Sequence, residues 1–87
     1  FKVVIIVLPL KEEIARGNYF YDFSFIKKEI EKSNHIMCLD LLQPYENYIR
    51  QSGKDYKNFY WKKDSHPNAD GYKMMAECIA AFLKTQQ

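Results

Sequence analysis

Two apolar segments on either side of an amphipathic stretch constrain this chain more than any other feature. Residues 3–8 read Val-Val-Ile-Ile-Val-Leu, a continuous run rich in β-branched residues that Pro9 ends. A run without alternation is typical of a strand covered on both faces, as in parallel sheets. Residues 36–42, Ile-Met-Cys-Leu-Asp-Leu-Leu, follow the turn residues Ser33 and Asn34. We therefore expect a fully buried first strand and a second strand after it.

The segment between these strands predicts a helix over residues 23–32. Phe23, Ile26 and Ile30 recur at helical spacing, and the Lys and Glu residues between them are left for water. Asp22 and Ser24 are both candidates for its N-cap. Strand, helix and strand in this order form a βαβ unit, so the sequence predicts parallel pairing.

Shorter helices and turns are expected elsewhere in the chain. Residues 11–16 predict a short helical turn that Gly17 and Asn18 close, and residues 42–49 predict a short helix after Pro44. Residues 52–55, Ser-Gly-Lys-Asp, are typical of a turn.

The last segment predicts a long helix over residues 69–85. Asn68 is a favourable N-cap, and Asp70 suits the positive end of the helix dipole. Apolar side chains recur at core-facing helical spacing, at Tyr72, Met75, Ala76, Ile79, Phe82 and Leu83.

Length and charge exclude several classes of protein. The 87 residues carry a formal net charge of +2, which is too even to indicate a nucleic-acid or acidic-membrane surface. The uncharged apolar run at residues 3–10 is too short to span a membrane.

Two parallel strands alone leave an edge unpaired and a flank uncovered. We therefore expect residues 1–87 to be the C-terminal part of one α/β domain whose other strands lie upstream.

The cysteines and histidines do not predict a metal site. Cys38 and Cys78 lie in apolar segments, where a free thiol behaves as a small hydrophobe. His35 and Cys38 have a spacing that zinc tolerates, but eleven residues separate His66 from Cys78. We expect buried free thiols, no metal and no cofactor.

The residues that carry chemistry lie just before the terminal helix, in Asp64-Ser65-His66-Pro67-Asn68. Pro67 fixes its own φ and biases His66 towards an extended conformation, and Asn68 anchors the chain as a cap. A histidine held in this way can accept and return a proton at neutral pH, as a general base does. Asp64 reaches the imidazole only if the loop bends, because residues i and i+2 of a straight strand are about 6.5 Å apart. Its other interpretation is a solvated loop carboxylate.

This segment resembles the C-terminal block of the SGNH, or GDSL-like, esterase and lipase superfamily. The resemblance lies in Asp-x-His-Pro-Asn-x-x-Gly followed by an Ala-rich helix, and in the order of the preceding strand, helix and strand. It implies a three-layer α/β/α sandwich of flavodoxin-like type, of which this chain would hold two parallel strands and flanking helices. It also implies a serine esterase or acyltransferase that acts on a small ester or an acylated carbohydrate.

Carried over to this chain, the resemblance implies that His66 is the catalytic base and Asp64 the acid of the triad. Many members place the acid three residues before the histidine, where this chain has Lys63; the two-residue spacing also occurs among relatives. The serine nucleophile and the oxyanion-hole residues belong to blocks nearer the N-terminus. No serine of this chain stands in a Gly-Asp-Ser context, so we expect the chain alone to be inactive.

Some residues keep two interpretations. Tyr56, Phe59, Tyr60 and Trp61 suit either an acyl or sugar pocket or a loop packed on the sheet. A non-catalytic α/β interaction or carbohydrate-binding module is the alternative function. We further expect Asp40 to accept hydrogen bonds at a strand end, Asn68 and Gly71 to be structural, and Lys54, Lys57, Lys62 and Lys63 to form a solvated loop face.

Overall fold

The computed structural model describes residues 3–85 as a small α/β arrangement around one pair of parallel strands. Strand β1 (Val3–Val7) pairs with β2 (Ile36–Asp40) in a register that sets Val3 opposite Ile36 and Val7 opposite Asp40. The helices are α1 (Lys11–Arg16), α2 (Ser24–Glu31), α3 (Leu42–Ser52) and α4 (Ala69–Thr85), and a 3-10 turn covers Tyr56–Phe59. The predicted parallel βαβ order and the terminal helix are confirmed.

Helices contact both faces of the strand pair. Because side chains alternate along a strand, Leu39 and Asp40 point to opposite faces. Asp40 pairs with Lys27 of α2, whereas Leu39 lines an apolar groove of about 420 Å³ between α3 and α4. Its other neighbours there include Phe82 of α4. The order of the chain thus sends α2 to one face and the later helices to the other.

The buried core lies between β2, α1, α3, α4 and the 3-10 turn. Leu41 and Met74 are fully buried at its centre. The other buried apolar residues are Ile14, Leu39, Tyr45, Ile49, Phe59 and Tyr60. The radius of gyration is 13.8 Å, against about 12 Å for a typical domain of this length. The described residues therefore pack less compactly than a self-contained domain usually does.

Strand β1 corrects the prediction of a fully buried strand. Val3 is 50% exposed, and Ile5 and Ile6, which point to opposite faces, are each 38% exposed. Within residues 3–85, β1 pairs only with β2, so its second edge has no neighbouring strand. The apolar composition of β1 is that of a strand covered on both faces, but the described residues cover it only in part: Val4 packs against the buried core, while Val3, Ile5 and Ile6 stay exposed.

The start of α2 also differs from the prediction. Neither Asp22 nor Ser24 is its N-cap; Phe23 occupies that position without a side-chain cap. Asp22 instead accepts a hydrogen bond from the Ser24 amide at 2.9 Å, in a turn just outside the helix. The predicted turns at Gly17 and Gly53 are confirmed, since both residues have a positive φ, 81° and 74°, which glycine adopts most readily.

Among residues 3–85, no helix is long and apolar enough to cross a membrane. Both cysteines are free thiols and both are half-buried. No group of three or more metal-ligating side chains is present in this part of the chain.

Candidate active site

The loop that carries His66 is closed at its base by backbone hydrogen bonds. Tyr60 and Pro67 form an isolated antiparallel bridge. The Trp61 amide donates to the His66 carbonyl at 3.1 Å, and the Asn68 amide donates to the Phe59 carbonyl at 3.1 Å. Residues 61–66 therefore project as a short, pinched loop rather than as a free strand.

Asn68 joins this loop to α4. Its side-chain oxygen accepts the Gly71 amide at 3.0 Å, which is the capping contact predicted for an asparagine at this position. Its side-chain nitrogen donates to the carbonyls of Asn58 at 2.8 Å and Tyr60 at 3.4 Å. The Asn68 side chain thus links the first turn of the helix to residues 58–60 on the opposite side of the loop base.

Gly71 allows the helix to approach the loop. A Cβ at this position would lie 2.1 Å from the Phe59 carbonyl oxygen and 2.8 Å from Cβ of Pro67. Both distances are far below van der Waals contact, and the closer atom belongs to the backbone. The structural role predicted for Gly71 is confirmed: only a glycine lets α4 begin directly against the His66 loop.

Asp64 and His66 are in contact through a bend of the loop. Oδ1 of Asp64 accepts the backbone amide of His66 at 2.9 Å and lies 3.4 Å from Nδ1 of its ring. The amide bond supplies the turn that a straight segment lacks, so the carboxylate faces the ring nitrogen at the distance of an electrostatic contact. The side chains are 79% exposed for His66 and 54% for Asp64. A reacting group therefore has access to the imidazole.

Two contacts with α1 fix the loop at the carboxyl end of β1. Oγ of Ser65 donates to Oε1 of Glu12 at 2.7 Å, and Nζ of Lys11 donates to the Trp61 carbonyl at 3.1 Å. The hydrogen bond from Ser65, together with a backbone hydrogen bond, holds the pKa of Glu12 below its ordinary value. Neither contact was predicted from the sequence.

A small cavity of about 150 Å³ lies beside the loop. Leu8, Pro9 and Leu10, which follow β1, line it together with Ser65 and Pro67. His66 therefore stands next to the end of the sheet at which parallel strands usually place their functional residues.

Two tyrosines at this cavity stay protonated. Burial raises the pKa of Tyr60 to about 12, with a further contribution from the charge of Glu12. Burial also raises the pKa of Tyr45. Both rings line the cavity, so they present neutral groups there.

Asp40 forms a separate polar cluster at the end of β2. It accepts hydrogen bonds from the Tyr19 hydroxyl and from Nζ of Lys27, each at 2.5 Å, and from the Leu42 amide at 3.0 Å. Partial burial acts to raise the pKa of Asp40, but these hydrogen bonds outweigh it, and the pKa lies below its ordinary value. The predicted role of Asp40 as a strand-end acceptor is confirmed, and it leaves Asp40 committed to the fold.

None of the four serines is hydrogen-bonded to the His66 ring in residues 3–85. Ser65 donates to Glu12, Ser52 donates to the Ile49 carbonyl, and Ser33 accepts the His35 amide. Ser24 begins α2, far along the chain from the loop. Within the described residues, the contact between Asp64 and His66 therefore involves no serine hydroxyl.

Comparisons with protein-family models, with curated proteins and with solved structures gave no match to this chain.

Proposed function

We propose that this chain is the C-terminal part of an SGNH-type serine hydrolase that acts on ester-linked acyl groups. In this proposal His66 is the general base, and Asp64 orients its ring and stabilises the imidazolium that forms. The observation that carries the proposal is the Asp64 and His66 contact in an anchored, solvent-accessible loop at the carboxyl end of β1.

The proposal includes a fold, the three-layer α/β/α sandwich of flavodoxin-like type. Helices on both faces of a parallel strand pair support it. So does the exposure of β1, because its open edge and its apolar side chains fit further strands of the same domain. The upstream part of that domain is the first partner that the proposal requires.

The proposed chemistry moves one proton through His66. A serine outside this chain bonds to the ester carbonyl carbon while His66 takes the hydroxyl proton. His66 then gives that proton to the leaving alkoxide as the acyl-enzyme forms. Water attacks the acyl-enzyme by the same route and releases the acid; in an acyltransferase a sugar hydroxyl takes the place of water.

Ester hydrolysis by the complete polypeptide encoded by the gene tests the proposal. The substrate is p-nitrophenyl acetate, and the variants are His66→Ala and His35→Ala. His35 is also exposed but lies before the amino end of β2, so its variant measures the background that any free imidazole gives. We expect His66→Ala to lower kcat at least 10²-fold, as loss of a general base does, and His35→Ala to leave it unchanged.

Covalent labelling separates the proposed mechanism from background catalysis. A fluorophosphonate should label one serine of the complete polypeptide, and His66→Ala should slow that labelling. The 87-residue chain alone should show neither labelling nor turnover beyond the free-imidazole background. Equal hydrolysis by the wild type and His66→Ala would remove His66 from catalysis.

A non-catalytic carbohydrate-binding module is a second candidate, and one observation favours it. Trp61 is 59% exposed at a pocket beside the loop, as a ring that stacks on a sugar would be. Sugar binding without any His66-dependent ester hydrolysis in the complete polypeptide would favour this function over the hydrolase.

A further inference from the structure

A second pocket, of about 680 Å³, adjoins the His66 loop and has an unusual combination of side chains. We name it the lysine-tryptophan pocket; it is lined by Lys57, Trp61, Lys62, Lys63 and Asp64, with Asn58 at its side. Its volume is in the range of small-molecule sites. Because Asp64 lines it, the pocket is continuous with the proposed catalytic pair.

We infer that this pocket binds an anionic sugar, so that the substrate of the proposed hydrolase is an acyl ester carried on a sugar with a negatively charged substituent. The ester part of this substrate rests on the proposed function, whereas its negative charge and its sugar ring are inferred from the residues that line the pocket. It goes further than an acylated carbohydrate because it specifies the charge of the sugar.

The charge comes from three ammonium groups that form no ion pair with any other described residue. No ion pair within residues 3–85 involves Lys57, Lys62 or Lys63, and each is exposed. The single carboxylate among the lining residues, Asp64, is already engaged with the amide and ring of His66. Three cations against one occupied anion leave a net positive pocket, which attracts a carboxylate, phosphate or sulfate.

Trp61 supplies the surface for the sugar ring. Its backbone is held at both ends, since its amide donates to the His66 carbonyl and its carbonyl accepts from Lys11. The indole remains largely exposed on this fixed backbone. A flat aromatic face packs well against the C–H face of a sugar ring, and the surrounding ammonium groups reach the substituents of that ring.

Aromatic and basic groups together also suit nucleic acid, but the pocket favours a sugar. Binding a nucleic-acid strand takes a basic stripe that follows several phosphates, with a stacking ring for successive bases. This chain has one tryptophan and a net charge of only +2. The three lysines surround one concavity of small-molecule size, which fits a single charged ring.

Intrinsic fluorescence tests the inference directly because Trp61 is the only tryptophan in the chain. Once far-UV circular dichroism has shown that the 87-residue chain is folded, it is titrated with methyl glucuronide, glucose 6-phosphate and neutral methyl glucoside at low ionic strength. We expect the two charged sugars to change Trp61 emission with a Kd at least tenfold below that of the neutral sugar. The difference between glucuronide and phosphate then identifies which anion the pocket prefers.

Charge variants test the role of the lysines. Lys57→Gln, Lys62→Gln and Lys63→Gln should each weaken binding of the preferred anionic sugar about threefold, as loss of an exposed ion pair does. Lys54→Gln is the matched control, because it removes the same charge nearby without lining the pocket. Raising the salt concentration from 0.05 to 0.5 M should weaken binding of the charged sugars and leave that of the neutral sugar unchanged.

Three results would overturn the inference: equal affinity for charged and neutral sugars, no emission change with any sugar at 20 mM, or tighter binding of a thymidine oligonucleotide than of either charged sugar. Its failure is distinguishable from that of the proposed function. If the complete polypeptide hydrolyses acetylated neutral and anionic sugars equally well through His66, the proposed hydrolase function is supported and the preference for an anionic sugar is refuted. If charged sugars bind but no ester is cleaved, sugar binding at the pocket is supported and the hydrolase function is refuted.

Discussion

Replacement of Gly71 by alanine tests whether the close approach of α4 holds the His66 loop. Helix propensity alone favours alanine over glycine inside a helix by about 1 kcal/mol. The new Cβ, however, has to retreat from 2.1 Å to at least 3.0 Å from the Phe59 carbonyl oxygen. Overpacking of this kind costs about 1 to 3 kcal/mol. The shift also strains the hydrogen bonds of the Asn68 amide and of the Gly71 amide, each worth about 1 kcal/mol.

If both hydrogen bonds are lost, these contributions predict a net loss of about 2 to 4 kcal/mol in the free energy of unfolding of Gly71→Ala. Urea denaturation followed by circular dichroism measures it, and a loss of 2 kcal/mol corresponds to a fall in Tm of about 10 °C for a chain of this size. Ala80→Gly is the control, because Ala80 is an exposed position of α4 and should lose about 1 kcal/mol from propensity alone. Trp61 emission should shift in Gly71→Ala and not in Ala80→Gly. A Gly71→Ala protein as stable as the wild type would refute the close approach.

Three further predictions follow from the same contacts. The pKa of Asp40 is lowered in the folded chain, so its stabilising contribution is present above about pH 4 and is lost as the pH falls through the lower folded pKa. In denaturant titrations between pH 5 and 2, the free energy of unfolding of Asp40→Asn should therefore fall less steeply with pH than that of the wild type. Equal slopes in the two proteins would contradict this. Glu12→Gln should weaken the hydrogen bond from Ser65 and speed amide hydrogen exchange at residues 61–66, whereas Glu29→Gln should not. Equal exchange rates in both variants would show that the Glu12 contact does not hold the loop. Ile5 is 38% exposed in the 87-residue chain, so Ile5→Lys should cost at least about 1 kcal/mol more in the complete polypeptide, where upstream strands would cover β1, than in this chain. Equal losses of stability in the two would argue against that cover.

The parts of the fold that the sequence predicted best are those decided by neighbours in the chain. The terminal helix could be predicted because Asn68 and the apolar period act within a few residues of each other. The Asp64 contact with His66 was foreseeable for the same reason, since it needs only a bend between residues i and i+2. Asp40 as an acceptor follows from a carboxylate at a strand end, although its donors Tyr19 and Lys27 carry no sequence signal.

The parts that were missed depend on distant residues or on what covers an element. The Ser65 contact with Glu12 spans 53 positions, and the Lys11 contact with Trp61 spans 50, and no sequence period connects such pairs. The exposure of β1 was missed because its composition is that of a covered strand. The prediction that the four lysines form a solvated face is confirmed, since Lys54, Lys57, Lys62 and Lys63 are all exposed. What the sequence did not predict is that three of them line one pocket with Trp61, because only the folding of residues 57–64 against the loop base places them together.

The exposure of β1 and the exposure of His66 are both explained, in the proposed hydrolase, by a further part of the domain that would lie beside them. An apolar strand with an open edge is stabilised when another strand pairs with it, and a general base acts only when a hydroxyl lies within hydrogen-bond distance. The open edge of β1 and the His66 loop lie close together, because β1 leads directly into the residues that line the cavity beside that loop. In a parallel sheet, a strand added to the open edge of β1 would place its own carboxyl end, and the loop after it, beside that cavity. In the proposed hydrolase, one added strand would cover β1, and the loop after it would carry the nucleophile towards the imidazole of His66. On this proposal, Ile5→Lys should lower stability more in the complete polypeptide than in the 87-residue chain, and His66→Ala should lower ester hydrolysis only in the complete polypeptide.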